Sequence, residues 1–196
     1  MTSDRLAQAV REQVAMGRVL PLGGSADAAW ITEQAAARVL RTAAAGLGSV
    51  RITALRIGRD GLVAAEFEAT VARPLPFTSD GLRRALWDAA HDRLGLEVTA
   101  VDLTVTGLLD EAPGATESVP DPLPPSAGVV VASSLTEAVR AVPGVAGVTS
   151  RLGDFSPAPY GPWVQIAVAA GHRALDVARA VAEAVGPVTV VVTEVA

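Results

Sequence analysis

The strongest constraint on the fold is an order of five elements that occurs twice, on either side of a proline-rich tract. Before the tract, helical and alternating apolar spacing predicts helix, strand, strand, helix and strand over residues 28–110. After it, residues 129–196 show the same order over a shorter span. The tract itself, residues 111–128, holds five prolines and is typical of a semi-extended linker. The sequence therefore predicts two tandem units.

Cap and turn residues set the expected boundaries of the first unit. Thr32 is expected to cap the first helix, and either Thr78 or Ser79 the second. Asp60-Gly61 is typical of a tight hairpin turn, because both residues tolerate positive φ. The predicted elements are a helix over 32–45, strands over 49–57 and 62–71, a helix over 78–95 and a strand over 98–108.

The second unit repeats this pattern with a longer connection between its first two strands. Ser134 and Glu137 form a capping box at the start of its first helix. The predicted elements are a helix over 134–142, strands over 145–152 and 163–169, a helix over 174–185 and a strand over 188–195.

These elements predict an α+β fold. The first two strands of each unit form an antiparallel hairpin, and the helix before the third strand makes a crossover that leaves its flanking strands parallel. Each unit is therefore expected to be a three-stranded mixed sheet with two helices on one face. Residues 1–27 are expected to add an N-terminal helix, Ser3–Met16, and a loop.

Composition excludes several classes of protein. The chain has no cysteine and only two histidines, which excludes disulfides and thiolate metal sites. A net charge of -5 argues against a nucleic-acid surface, and no apolar run has the length of a membrane span. Asp4 and Arg5 stand where a signal peptide would be apolar, so we expect a cytoplasmic protein. All basic residues are arginine, which indicates a GC-rich genome.

The glycine-rich motifs do not predict a ligand site. Gly46-Leu47-Gly48 precedes a strand, whereas a dinucleotide-binding loop must open a helix. Residues 58–61 match a GxxG motif of RNA-binding modules but join two strands, where a hairpin turn is the simpler interpretation. We therefore expect no cofactor.

The acid–base residues give no catalytic signature. His172 and Asp176 are the one pair that could do acid–base work, and no nucleophile motif accompanies them. Glu66, Glu68 and Asp102 could share a cation on one sheet face, although carboxylates on such a face are usually solvated. We therefore predict no catalytic residues, no metal site and no enzyme.

Two features are better candidates for recognition. The loop over residues 155–163 holds three aromatic residues among prolines, and rigid aromatics are common interface anchors. The outward face of the second sheet carries small side chains with almost no charge, and an apolar face of this kind is expected to be covered by other residues or by another molecule. That cover could be the other unit, the N-terminal helix, a second subunit or a partner, and the loop could equally fold back on its own core. The partner-binding candidates are Phe155, Tyr160, Trp163, Ala167, Ala169, Val191 and Val195.

Residues Ile31-Thr32-Glu33 and the run from Leu94 to Leu108 resemble the alkaline-shock protein family, including its streptomycete-type members. The resemblance covers about residues 28–110, and Val142-Pro143-Gly144-Val145 begins a fainter echo. It implies a non-enzymatic protein, associated with envelope stress, that self-associates or docks on a membrane-anchored partner. The chain departs from the family in its tandem unit and in lacking acidic low-complexity ends.

The sequence thus favours a non-enzymatic assembly or partner-binding protein that has no nucleic-acid partner and no transmembrane segment. Its expected partner is a protein, either a second copy of the chain or another molecule. The alternative is a small-ligand-binding protein or enzyme that uses the cleft between the two units, with His172 and Asp176 as its acid–base pair.

Overall fold

The computed structural model describes residues 17–24, 26–58, 60–113, 133–153 and 161–196. The predicted helix Ser3–Met16, most of the predicted linker, and Phe155 and Tyr160 lie outside these residues. The described residues form a mixed α+β fold with one five-stranded and one three-stranded sheet. They fall into two compact units: a discontinuous unit, within Met1–Ala36 and Leu123–Ala196, and a continuous unit, within Ala37–Pro122.

The described part of the chain contains eight strands and four α-helices. In chain order they are β1 (Val19–Leu22), β2 (Ala29–Thr32), α1 (Glu33–Ala45), β3 (Val50–Ile57), β4 (Leu62–Thr70), α2 (Leu75–Asp88), β5 (Ala100–Leu109), α3 (Ser133–Arg140), β6 (Val145–Thr149), β7 (Trp163–Val168), α4 (Ala174–Val185) and β8 (Thr189–Val195). A π-helical segment, Ala89–Leu94, continues α2.

The continuous unit has the sheet that its sequence predicts. The strand order is β3-β4-β5, with β3 and β4 antiparallel and β4 and β5 parallel. The hairpin turn closes where the Gly58 N–H donates to the Leu62 carbonyl at 2.7 Å, and Gly61 takes a φ of 79°. The alternate residues of β4 that enter the core are Val63, Ala65, Phe67 and Ala69.

The first helix begins as predicted, whereas the second does not. The Thr32 hydroxyl accepts the Ala35 N–H at 3.2 Å, which confirms the predicted cap of α1. The predicted cap of α2 at Thr78 or Ser79 is wrong, because α2 already begins at Leu75 after Pro74. Proline is compatible with a first helical turn, since the amide it lacks has no partner inside the helix.

The sheet of the discontinuous unit has five strands instead of the predicted three. Its order is β1-β2-β8-β7-β6, so the β1–β2 hairpin adds two strands beside β8. Strand β2 runs parallel to β8, and β1 runs antiparallel to β2. Pro21 lies in β1, which is an edge strand with β2 as its neighbour. Proline lacks a backbone N–H and is tolerated in edge strands, because one side of such a strand forms no hydrogen bonds within the sheet. The predicted loop before residue 28 therefore contains a strand.

One face of this sheet carries the core of the discontinuous unit. The register places Ile31, Val192 and Ile166 side by side across three strands, and all three are fully buried. Helix α4 contacts β8 and β2 and buries Leu175 and Val181. We call this the helix-covered face, and the opposite side the open face.

The two sheets share a local irregularity at the same place. Val105 pairs with Phe67 and Gly107 with Glu68, which leaves Thr106 as an extra residue in β5. In β8 the extra residue is Thr193, between Val192 and Glu194. The Thr106 hydroxyl donates to the Phe67 carbonyl at 3.2 Å, and the Thr193 hydroxyl to the Ile166 carbonyl at 3.3 Å. The two bulges therefore define equivalent positions in β5 and β8.

Candidate functional site

The predicted binding face of the five-stranded sheet carries a small apolar cluster of its own. Val191 pairs with Trp30 on one side and Gln165 on the other, which places all three on the open face. Val191 is 0% exposed and packs against Leu152 from the segment that follows β6. The partly buried side chains packed against this pair are Val19, Trp30 and Trp163.

Gln165 holds the segment after β6 against the open face. Its Oε1 accepts the Leu152 N–H at 2.9 Å, and its Nε2 donates to the Gly153 carbonyl at 3.1 Å. The side chain is 4% exposed, so these two bonds satisfy both ends of a buried amide. Part of the predicted apolar face is therefore covered by residues that follow its own edge strand.

The alternation predicts that Val195 lies on the same face as Val191, and this prediction is wrong. The extra residue Thr193 shifts the pattern by one, so Val195 pairs with Val168 on the helix-covered face and is 4% exposed. The same shift brings Glu194 beside Ala167 on the open face. There Glu194 accepts from the Arg151 guanidinium at 2.9 Å. A charged pair thus stands where the sequence predicts a valine.

The remaining candidates are not brought into one patch. Ala167 lies on the open face and is half-buried. Ala169 follows the end of β7, where its N–H donates to the Gly144 carbonyl at 2.8 Å. Among the predicted residues that the structure describes, only Trp163 and Val191 join one cluster, together with Trp30 and Leu152, which the sequence did not indicate.

Large apolar side chains are exposed on the continuous unit, where the sequence predicts no site. Phe77 is 79% exposed in the first turn of α2, and Trp87 is 42% exposed in its last turn. The helical spacing of Leu82 and Leu86 could have shown this, because it turns Trp87 away from the buried stripe. The other exposed large hydrophobics in the described residues are Val71, Leu75, Val105 and Leu108.

One predicted acid–base residue, Asp176, and one predicted cation ligand, Glu68, each pair with an arginine. The Asp176 carboxylate lies 3.4 Å from the Arg173 guanidinium, three residues earlier on the chain. Glu68 accepts from the Arg51 Nε at 2.7 Å across the β3–β4 hairpin. Within the described residues, no group of three or more histidine, aspartate or glutamate side chains could hold a metal ion.

None of the helices in the described part of the chain combines the length and the apolar character that a membrane crossing requires.

Comparisons with protein-family models, with curated proteins and with solved structures give no significant match to this chain. The resemblance of residues 28–110 to alkaline-shock proteins therefore stays a prediction.

Proposed function

We propose that this chain is a non-enzymatic assembly or partner-binding protein, and that α2 carries its contact surface for another protein. The observation that carries the proposal is the exposure of Phe77 and Trp87 on one helix. We call these two side chains the α2 anchors.

The α2 anchors have the chemistry of an interface. Aromatic side chains bury more apolar area than other residues and dominate the energetics of many protein contacts. Phe77 and Trp87 are ten positions apart, which corresponds to about 15 Å along the helix axis, so both could contact one partner. Their neighbour Arg84 is also exposed, which gives the surface a polar rim.

Other features favour protein recognition over catalysis or nucleic-acid binding. Asp176 and Glu68 are engaged with arginines, so the acid–base and cation hypotheses lose part of their chemistry. The net charge of -5 disfavours a phosphate backbone as partner. The proposed link to envelope stress and the proposed docking on a membrane-anchored protein come from the resemblance of residues 28–110. We also propose a cytoplasmic location.

The proposal is tested by affinity retrieval from a native lysate with the full chain and with the double variant F77S/W87S. The chain with R41S is the matched control, because Arg41 is an exposed arginine on α1 and is not part of the proposed surface. We expect the chain and R41S to retain the same protein, in defined stoichiometry, and the double variant to lose it. A monomer that retrieves nothing, or equal retention by the double variant, would refute the proposal.

A further inference from the structure

Strand β5 is an edge strand with unusually little protection. In the described residues it pairs with β4 alone. It is ten residues long, and Asp102 is its only charged residue. Long edge strands with few charges present unpaired N–H and C=O groups to other chains, and proteins usually shield them.

The other described edges carry such shielding. Strand β1 has four residues, one of them Pro21, and β6 has five residues. Strand β3 carries Arg51 and Arg56. The free edge of β5 is therefore the most open of the four.

The equivalent edge in the discontinuous unit is already covered by a strand. Taking the bulges at Thr106 and Thr193 as equivalent, Leu103–Val105 of β5 corresponds to Val190–Val192 of β8. Those β8 residues pair with Ala29–Ile31 of β2 and are all 0% exposed. In β5, Thr104 is exposed and Val105 is 37% exposed, although Val105 shares the core face with Phe67. The fold thus accepts an added strand at this position.

We propose that the free edge of β5 pairs with β5 of a second copy of this chain, antiparallel about a two-fold axis at Leu103. This inference goes beyond the proposed function, because it adds a second surface, for self-association, that is separate from the α2 anchors. A second copy is favoured because it supplies the same long, nearly uncharged edge, and two-fold symmetry makes the two strands antiparallel. Strand β2 cannot serve this role, because it is paired on both sides in its own sheet.

The residues around Leu103 suit this register. Leu103 faces Leu103 of the second copy, and Val101 faces Val105, so the opposed pairs on the core face are apolar. Asp102 faces Thr104, which avoids two opposed carboxylates. All of these residues precede the bulge at Thr106, in the part of β5 where the ladder with β4 is regular. Two three-stranded sheets would then form one continuous sheet of six strands.

The register is tested by a charge pair at one site. We measure the mass of the full chain, T104D and T104K by size-exclusion chromatography with light scattering. The full chain is expected at twice 19.9 kDa. T104D places a carboxylate opposite Asp102 of the second copy at both ends and is expected to halve the mass, whereas T104K retains the dimer. Circular dichroism confirms that both variants fold.

Single cysteines test which residues of the two β5 strands face each other, since the chain has no cysteine of its own. Opposed side chains in an antiparallel pair have Cβ atoms about 5 Å apart, so L103C is expected to form an intermolecular disulfide. L108C lies on the same strand and is 64% exposed, but the register places the two copies of residue 108 about 33 Å apart. L108C is therefore expected to stay monomeric on denaturing gels.

The outcomes separate this inference from the proposed function. A dimer that T104D leaves intact, or equal cross-linking of L103C and L108C, would refute the β5 pairing. A monomer that still retrieves a protein through the α2 anchors would also refute it while supporting the proposed function. A dimer that T104D dissociates, and that F77S/W87S leaves intact, would support it.

Discussion

Asp27 and Arg179, which are 152 residues apart in the sequence, form a two-point ion pair. The Arg179 Nε donates to Asp27 Oδ1 at 2.7 Å, and its Nη2 donates to Oδ2 at 3.1 Å. Asp27 Oδ2 also accepts the Gly24 N–H at 2.8 Å. One carboxylate therefore closes the turn between β1 and β2 and fastens that turn to α4.

The Asp27 pair gives stability a defined pH dependence. Its hydrogen bonds with Arg179 hold the pKa of Asp27 below the ordinary value of 3.8. A carboxyl with a lowered folded-state pKa stabilises the fold fully above its unfolded pKa, and this contribution is lost as the pH falls through the folded pKa. We therefore expect D27N to lower the melting temperature at pH 7, and expect the difference to disappear at a pH well below 3.8.

The measurement is thermal unfolding of the chain and of D27N in about five buffers that range from roughly pH 2 to pH 7. D80N is the control, because Asp80 pairs with Arg83 on the surface of α2 and is far more exposed than Asp27. A D27N difference that persists unchanged at the acid end would contradict the assignment.

Position 144, just before β6, requires glycine for two reasons, namely its backbone conformation and the close approach of its neighbours. It has a φ of 89°, and a Cβ there would lie 2.6 Å from Val177 Cγ2 and 2.8 Å from His172 Nδ1. Gly171 has a similar φ of 81° but no described atom within 4 Å of such a Cβ. We expect G171A to lower the free energy of unfolding by about 1 kcal/mol and G144A by a further 1–3 kcal/mol, roughly. Urea denaturation checks this, and equal losses would show that the contact with α4 is unimportant.

Local sequence patterns predicted most of the five-element order. They did not predict that β1 and β2 join the sheet formed by β6, β7 and β8. Asp60-Gly61 and the alternation from Val63 to Ala69 specified the β3–β4 hairpin, because turn and core face are both encoded within a few residues. Strands β1 and β2 have four residues each, too few for an alternation to stand out, and the partner of β2 lies at the other end of the chain.

The candidate site was harder to predict than the fold. Val195 was misplaced because one inserted residue, Thr193, reverses the faces of all that follows in β8, and alternation alone does not reveal a bulge. Leu152 covers Val191 through hydrogen bonds of Gln165, a contact between separate segments that spacing does not encode. Phe77 was missed because the predicted helix began at Thr78 or Ser79, after Phe77, whereas α2 begins at Leu75.

Gln165 provides a test of the open-face cluster. Q165L removes the acceptor of the buried Leu152 N–H and the donor to the Gly153 carbonyl. An unsatisfied buried polar group costs about 1–3 kcal/mol, so we expect a loss of that size in the free energy of unfolding. Tryptophan emission should shift as well, because Trp30 and Trp163 pack against Leu152 and Val191. Q34L, at an exposed position of α1, is the control and should change neither quantity; an unchanged Q165L would contradict the predicted role.

A comparison of F67A with F77A distinguishes an effect on stability from an effect on recognition. Phe67 is fully buried in the middle of β4, whereas Phe77 is 79% exposed. Truncating a buried phenylalanine removes apolar contacts and leaves a cavity, so F67A is expected to lower the free energy of unfolding by about 3–5 kcal/mol. F77A removes a side chain that contributes little to the core and should change stability by less than about 0.5 kcal/mol. Denaturant titration measures both, and retrieval of a partner by F77A should nevertheless fall. A large loss of stability in F77A would mean that Phe77 packs within the chain, and it would remove the α2 anchors from the proposed interface.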